Sequence, residues 1–326
     1  MGARKSKHGN IYDAFVKRMF GRLLVMIDFL LSYADKEFVA AIDLEKIVPA
    51  PTHYFGKDGD ERIADLIFQC PLKDGSGSLM AVIVFEHESG NLKKVPQKLH
   101  KNISAIWTAE VKEGKKILSA PYFVVLRTGK KPFRGRPPKM SDSLPKDKDG
   151  KPIGKTVEVD YDLFDLPAWD FDQLAGGPVL RAALGILKKM IEETGEDFQS
   201  AMLPLQDISD VGQRIEWTKE LLDFVDKAMK AHNRRLDAEM VSRALKPIFK
   251  DKERTMIKSI FDEKIQEGEV KKGREMLLKY LRKRFRQVTK DVENKIMSMT
   301  DPVALDSWSE HAWTCQSMDE FAKAIR

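Results

Sequence analysis

The segment AVIVFEHESG, residues 81–90, restricts the fold of this chain more than any other stretch. Five apolar residues that favour strands come directly before Glu86, His87 and Glu88. A continuous apolar run of this length is typical of a strand that is buried on both faces. We therefore expect a sheet with a fully covered strand and with charged side chains concentrated where that strand emerges.

A hairpin is predicted to place a second acidic residue beside this charged end. The segments RIADLIFQC and LMAVIVF flank KDGSGS, whose Gly, Asp and Ser residues are typical of a tight turn. With a four-residue loop at 74–77, paired residue numbers sum to about 151, so that Asp65 faces Glu86. Side chains alternate along a strand, which returns Glu88 to the side of Glu86 and turns His87 to the opposite face.

Three carboxyl groups on one side of a sheet create an electrostatic conflict. Neighbouring carboxylates repel each other unless one takes up a proton or a cation lies between them. Oxygen ligands of this kind suit Mg²⁺ or Mn²⁺ rather than zinc. The alternative is that Glu86 and Glu88 only mark the place where a buried strand reaches the surface. Because His87 faces the opposite side under the same pairing, we expect an ordinary packed or exposed histidine rather than a catalytic base.

Periodicity predicts the elements around the hairpin. Apolar spacing indicates a helix over residues 11–34 and another over 95–111. The segment KIVPAPTHYF, with its β-branched residues and prolines, favours an edge strand, and SAPYFVVLRTG favours a further short strand. The predicted order is helix, three strands, helix, strand.

The length of 326 residues favours two domains, because single cores stop growing at about 250–300 residues. We expect a mixed α/β domain at 1–175 and a helical domain at 176–326. Helical spacing in the second is clearest in four segments, 179–193, 215–231, 236–250 and 253–285. Residues 129–155 hold five prolines and nine Lys or Arg against three Asp, which predicts a basic flexible loop.

Charge and composition narrow the function classes. The 56 Lys and Arg exceed the 50 Asp and Glu by six, which permits an anionic partner. Residues 268–290 carry nine basic and two acidic side chains, which face either phosphate or water. The sequence has neither a glycine-rich phosphate loop ending in Lys-Ser/Thr nor a Gly-x-Ser-x-Gly elbow, which argues against nucleotide hydrolysis and serine catalysis.

The cysteine count and the hydropathy pattern predict a cytoplasmic protein. Two cysteines build neither a disulfide framework nor a four-thiolate zinc site. The longest apolar stretch, LLVMIDFLL, is interrupted by Asp28 and is shorter than the ~20 residues that cross a bilayer. We therefore expect no contact with a membrane.

Five segments of the chain share a pattern with a known family: IYDAFVKRMF, RIADLIF, VFEHESG, PYFVVLRTGKKPF and, near the C-terminus, LLKYLRKRFRQVTKDVENKI. Together they resemble the PD-(D/E)XK nuclease superfamily, and within it the Rpn family of recombination-promoting nucleases. The resemblance extends from about residue 10 to the end of the chain. It implies an α/β fold in which a restriction-endonuclease-like core, a mixed sheet flanked by helices, is followed by an α-helical C-terminal region.

The resemblance also implies roles for the residues of the charged end. Asp65 and Glu86 would hold Mg²⁺, or Mn²⁺, together with the backbone carbonyl of His87. Glu88 stands where the superfamily has Lys and this branch has Gln, and a carboxylate there supplies no positive charge. Lys98, on the following helix, would restore a cation, unless it is simply an exposed helix lysine. Glu88 would then orient the attacking water.

The activity that the resemblance implies is metal-dependent endonuclease cleavage of DNA, which promotes recombination or restricts foreign DNA. Asp13 and Lys17 are candidate accessory residues, and oligomerisation is expected through the C-terminal helices. The candidate phosphate contacts are Arg127, Lys130, Lys131, Arg134 and Arg136. One alternative is a catalytically inactive DNA-binding or regulatory protein that retains the nuclease fold. Another is an interaction module formed by the helical half alone.

Overall fold

A computed structural model describes residues 7–56, 59–62, 64–73, 80–192, 197–250 and 270–325. The chain divides into two compact units, residues 1–248 and 249–326. The all-helical part begins after the sheet, as the sequence indicates, but its first four helices belong to the same compact unit as the sheet. The two units therefore divide later in the chain than the change from mixed α/β to helical structure.

The first unit is built on a five-stranded mixed sheet in the order β1-β4-β5-β6-β7. These strands are β1 Val48–Ala50, β4 Leu66–Pro71, β5 Met80–Glu88, β6 Ala120–Arg127 and β7 Asp162–Asp165. The pairs β1–β4 and β4–β5 are antiparallel, whereas β5–β6 and β6–β7 are parallel. Strands β2 His53–Gly56 and β3 Gly59–Arg62 form a separate hairpin. Strands β3 and β7 were not predicted from the sequence, and a single strand was predicted where β1 and β2 lie.

Strand β5 is the central strand of the sheet and is fully covered. Residues 81–86 have no exposed surface, as expected for an apolar strand with helices on both faces. The β4–β5 register pairs Leu66 with Phe85 and Cys70 with Ala81, so the paired residue numbers sum to 151. The predicted register is therefore confirmed.

Helices cover both faces of the sheet. On one face, α4 Val95–Lys112 buries Leu99, Ile103 and Ile106 against strand residues that include Val84. This helix matches the prediction for 95–111. On the other face, Phe20 stacks on Phe85 with ring centroids 4.9 Å apart.

The predicted single helix over 11–34 is wrong, because the structure has two helices there. They are α1 Lys7–Phe20 and α2 Leu23–Tyr33, which are separated at Gly21 and Arg22. A Cβ atom at Gly21 would lie 2.6 Å from the carbonyl oxygen of Lys17, so the chain can turn there only without a side chain. Arg22 then adopts an extended backbone conformation that ends the first helix.

The remaining helices of the first unit are α3 Lys36–Ala41, α5 Pro178–Ile191, α6 Phe198–Met202, α7 Val211–Ala231 and α8 Ala238–Leu245. Three of them confirm the helical spacing predicted for 179–193, 215–231 and 236–250. Phe224 of α7 stacks on Phe15 of α1 with centroids 3.8 Å apart, which joins this layer to the helices on the sheet. Most of the predicted segment 253–285 lies outside the described residues.

The segment between β6 and β7 contains one short 3₁₀ turn, Met140–Ser143, and otherwise has no helix or named strand. The prediction of a loop at 129–155 is confirmed in this respect, and its flexibility stays a prediction. Arg136 holds one end of the turn through two contacts to Asp142. Glu158 holds the other by accepting a hydrogen bond from the backbone nitrogen of Met140.

The second unit, as described from residue 270, contains four helices: α9 over 270–285, α10 Lys290–Ser298, α11 Pro302–Thr314 and α12 Met318–Ala324. Their core includes Leu277, Leu281, Ile296, Trp308 and Phe321. Within the described ranges of the chain, no helix combines the length and apolar character that a membrane span requires.

Candidate active site

The candidate site lies where β4 begins and β5 ends. Asp65 immediately precedes β4, and its Oδ2 accepts a hydrogen bond of 2.9 Å from the backbone nitrogen of His87. This bond crosses from one strand to the other and holds the Asp65 carboxyl next to Glu86. The antiparallel register, set by the hairpin, is therefore what brings the two carboxyl groups together.

Glu86 is completely buried, and its two oxygens have different surroundings. Oε1 accepts a hydrogen bond of 2.6 Å from Nδ2 of Asn102. Oε2 lies 2.7 Å from Nζ of Lys98, but without hydrogen-bond geometry, so it is a buried acceptor that only an ion pair compensates. Burial raises the pKa of Glu86 to about 7; Lys98 opposes this shift and Asp65 adds to it.

Lys98 joins two of the carboxylates. Besides Glu86, its Nζ contacts Oε1 of Glu88 at 3.1 Å, and about two fifths of its side chain is exposed. Burial alone would lower the pKa of Lys98, but Glu86 and Glu88 outweigh it and hold that pKa above the ordinary lysine value. Lys98 is therefore a charged partner at the site rather than a freely solvated helix lysine.

Helix α1 contributes a second ammonium group. Nζ of Lys17 lies 3.0 Å from Oδ1 of Asp65 and 2.5 Å from Oδ2 of Asp13. Burial opposes ionisation of Asp65, but the His87 N–H, Lys98 and Lys17 together keep its pKa below the usual aspartate value. Both accessory candidates, Asp13 and Lys17, thus lie at the site.

His87 points away from Glu86, as strand alternation predicts, and is buried. Its Nε2 lies 2.7 Å from Oγ1 of Thr128, and its Nδ1 lies 3.4 Å from Oδ1 of Asp13. This contact with His87 is the largest cause of the strongly lowered pKa of Asp13. The histidine therefore links α1 to the ends of β5 and β6 on the far side of the sheet.

The donor set can be tested against a magnesium site. Among the residues that the structure describes, no three or more His, Cys, Asp or Glu side chains group as a complete metal site. Asp65 and Glu86 offer two carboxylates, one of which keeps a buried oxygen without a hydrogen bond. Mg²⁺ is commonly bound by one or two carboxylates and completes its shell with water and substrate phosphates. The residues present fit such an open site.

Two of the five candidate phosphate contacts are already engaged within the fold. Nη1 of Arg127 lies 2.5 Å from Oδ1 of Asp165, and both side chains are nearly buried. Arg136 binds Asp142 through both terminal nitrogens. Arg136 nevertheless stays exposed, as do Lys130, Lys131 and Arg134.

Sequence reasoning missed Asn102, Thr128 and Asp165. Asn102 had a detectable signal, because a polar residue there interrupts the apolar stripe of Leu99, Ile103 and Ile106 on α4. A polar side chain in a buried helix face needs a partner, and here the partner is Glu86. Asp165 had no such signal, since its pairing depends on the unpredicted strand β7.

The fold and the site together define a class of α/β protein. Helices cover a mixed sheet, and two lysines from these helices contact two carboxylates where adjacent strands begin and end. A comparison with protein families identifies the family described as "Putative transposase, YhgA-like" over residues 10–216. The chain belongs to this family, which is of the PD-(D/E)XK and Rpn type. No curated protein and no solved structure gave a significant match.

Proposed function

We propose that the protein is a metal-dependent DNA endonuclease whose sheet and flanking helices form a PD-(D/E)XK catalytic core. The observation that carries this proposal is the buried Glu86 carboxyl held next to Asp65, with Lys98 and Lys17 around the pair. Membership of a transposase-type family supports chemistry on DNA phosphodiester bonds. The α-helical remainder of the chain follows this core.

Each residue has a distinct part in the proposed reaction. Asp65 and Glu86 would hold Mg²⁺ or Mn²⁺, with the backbone carbonyl of His87 as a third donor. Such a cation, when bound, supplies a Lewis acid that polarises a phosphate oxygen and lowers the pKa of water. Lys98 places a positive charge where negative charge develops on the phosphate. Glu88 is partly exposed and paired with Lys98, which suits it to orient water and hold its proton.

The DNA backbone would be held by exposed basic residues of the segment after β6. Lys130, Lys131 and Arg134 are exposed there, within a few residues of the end of β6. Contacts of this kind do not read the sequence and weaken steeply with salt. We further propose that the helices of the second unit mediate homo-oligomerisation.

Plasmid nicking tests the proposal directly. Purified protein and supercoiled plasmid would be incubated with MgCl₂, with MnCl₂ or with EDTA, beside the variants Asp65→Asn and Asp172→Asn. Asp172 is an exposed aspartate outside the site and serves as the matched control. We expect nicking by the wild type and by Asp172→Asn with either metal. Asp65→Asn should be slower by at least ~100-fold, the typical cost of one lost electrostatic contact to the transition state.

A mobility-shift assay on the same samples separates the alternative function. If the wild type retards the plasmid but leaves it uncut with both metals, the protein is a DNA-binding or regulatory member of the family. If Asp65→Asn cuts as fast as the wild type, the site is elsewhere and the proposed roles fail.

A further inference from the structure

Helix α9 of the second unit carries a basic surface that the proposed active site does not use. Its members are exposed, and we call them the basic face: Lys271, Lys272, Lys279, Lys283 and Arg286. At 3.6 residues per turn, Lys272, Lys279 and Lys283 fall on one side of the helix, whereas Lys271 lies at the edge of that side, next to the position of Leu278. Arg286 directly follows the helix in a left-handed backbone conformation, with φ of 60°.

The core of the second unit fixes the direction of this face. Leu277, Leu278 and Leu281 point away from the side that carries Lys272, Lys279 and Lys283. These leucines are buried in one core with Val292 and Ile296. Turning the basic residues inward would expose these leucines, at a cost of about 1.5–3 kcal/mol for each side chain. The basic face is therefore held towards the outside of the unit.

The basic face lacks counter-charges within the described parts of the chain. No carboxylate there lies within ion-pair distance of any of its five members, and the exposed Glu275 is the sole acidic residue within 270–290. The situation differs on α7, where Lys227 pairs with Asp223 at 2.8 Å and Lys230 pairs with Asp226 at 2.7 Å.

Three arginines of the same segment show that pairing within the unit is available there. Nε of Arg274 donates to the carbonyl oxygen of Met299 at 2.5 Å, and Arg282 pairs with Glu293 at 2.6 Å. Arg284 donates to carbonyl oxygens at the end of α11, including that of Cys315. The unit thus uses these three arginines internally and leaves the basic face for an external partner.

Charge is also segregated within the second unit. Residues 270–290 contain nine basic side chains and one acidic one, whereas residues 291–325 contain two basic and seven acidic side chains. A general excess of lysine would have spread over all four helices. Seven of the nine basic side chains lie on α9, and this concentration indicates an extended anionic ligand.

We propose that the basic face is a second binding site for the phosphate backbone of double-stranded DNA. The choice of DNA rests on the proposed function, while the site itself lies outside the proposed active site. From Lys272 to Lys283 the helix rises ~17 Å, which matches about five phosphates at 3.4 Å per nucleotide along one strand. Lysine and arginine contacts to phosphate position DNA without reading its sequence, so binding should be insensitive to sequence.

The test compares two full-length variants that lose the same charge. One changes Lys272, Lys279, Lys283 and Arg286 of the basic face to Gln. The control changes four exposed lysines elsewhere, Lys36, Lys112, Lys116 and Lys323, to Gln. Fluorescence anisotropy with a labelled 30-base-pair duplex would be measured in EDTA over a series of KCl concentrations. EDTA prevents metal-dependent cleavage, so that binding alone is observed.

We expect the basic-face variant to bind at least ~10-fold more weakly at 100 mM KCl. Its slope of log K against log[KCl] should be smaller by about 2–4, because each phosphate contact contributes about 0.9. The control should stay within about twofold of the wild type. Equal losses in both variants, or unchanged binding by the basic-face variant, would overturn the proposal.

Two further readouts cover the remaining outcomes. Light scattering after size exclusion would show whether the basic face of one copy of the chain instead binds the acidic helices of another copy. A changed mass with unchanged DNA affinity overturns the proposal. Should the fourfold variant fail to fold by circular dichroism, the pair Lys279→Glu and Lys283→Glu replaces it, with Lys112→Glu and Lys116→Glu as control.

Failure of this inference is distinguishable from failure of the proposed function. If the wild type binds DNA through the basic face but never cuts it, the proposed nuclease activity is wrong and the second binding site stands. If the wild type cuts DNA and the basic-face variant binds with unchanged affinity, the second binding site is wrong and the nuclease activity stands.

Discussion

The two charged regions of this protein are built in opposite ways. At the end of the sheet, acidic and basic side chains from α1, β5 and α4 contact each other, and Glu86 at their centre is completely buried. On the basic face of α9, five cationic side chains are exposed and have no carboxylate partner within the described residues.

The difference shows what each region requires. Burying a charge costs several kcal/mol unless a partner compensates it, so the sheet end must supply its own counter-charges. Exposed charges carry no such cost, because water solvates them until a ligand arrives. Changes at the sheet end should therefore alter catalysis and folding stability, whereas changes on the basic face should alter ligand affinity and its dependence on salt.

The largest expected effect is that of Glu86→Gln on cleavage. The substitution keeps the size of the side chain and removes the charge that would hold the cation, so nicking should fall by at least ~100-fold. Binding of duplex DNA in EDTA should stay within about threefold of the wild type. Exposed Glu37→Gln is the matched control, and Glu86→Gln with normal nicking would contradict the division between the two regions.

Arg127→Gln should give the largest loss of stability. Asp165 is nearly buried and would lose its charged partner, although the backbone nitrogen of Phe133 still donates to it at 2.6 Å. We expect a loss of about 3 kcal/mol in the free energy of unfolding, measured by urea denaturation. The nearby exposed Lys131→Gln should cost less than about 0.5 kcal/mol and instead weaken DNA binding. Similar free energies of unfolding for the two variants would contradict this prediction.

Lys98→Met tests the same contrast at the candidate active site. Removing the ammonium leaves Glu86 and Glu88 without their shared partner, and a loss of about 2 kcal/mol is expected because Lys98 is partly exposed. Lys279→Met on the basic face should change stability by less than about 0.5 kcal/mol. Urea unfolding of both variants in EDTA measures the difference, and equal losses would contradict it.

The smallest expected effect concerns the contact between His87 and Thr128. Thr128→Val removes the hydroxyl that lies 2.7 Å from Nε2 of the buried histidine, which should cost about 1 kcal/mol. Thr108→Val, on the exposed side of α4, is the control and should change stability by less than about 0.5 kcal/mol. Thermal unfolding followed by circular dichroism is sufficient to separate the two.

The sheet end also shows how far sequence reasoning reaches. The β4–β5 register was predictable from the polar sequence between the two apolar segments and from the alternation of strand side chains, and Asp65 lies beside Glu86 as that register requires. The predicted loop at 74–77 lies outside the described residues. The position of Lys98 was predictable only as a lysine on the next helix. That its ammonium contacts both Glu86 and Glu88 depends on how closely α4 packs on the sheet.

Contacts between elements that are distant in the sequence were beyond prediction. Lys17 contacts Asp65 from α1, which ends just before Gly21, whereas periodicity alone favours one continuous helix there. Arg127 is a candidate phosphate contact from the sequence, and its pairing with Asp165, 38 residues later on a strand of only four residues, was not predicted. Short edge strands carry too little pattern to be recognised, so their partners are also missed.

Manganese binding is the most direct test of the central claim that Asp65 and Glu86 together hold one divalent cation. Room-temperature electron paramagnetic resonance would follow free Mn²⁺ as it is titrated into the wild type, Glu86→Gln and the control Glu37→Gln. We predict one site per chain in the wild type and the control, displaced by excess Mg²⁺, and its loss in Glu86→Gln. A wild type that leaves all Mn²⁺ free, or a Glu86→Gln variant that binds it equally well, would contradict the claim.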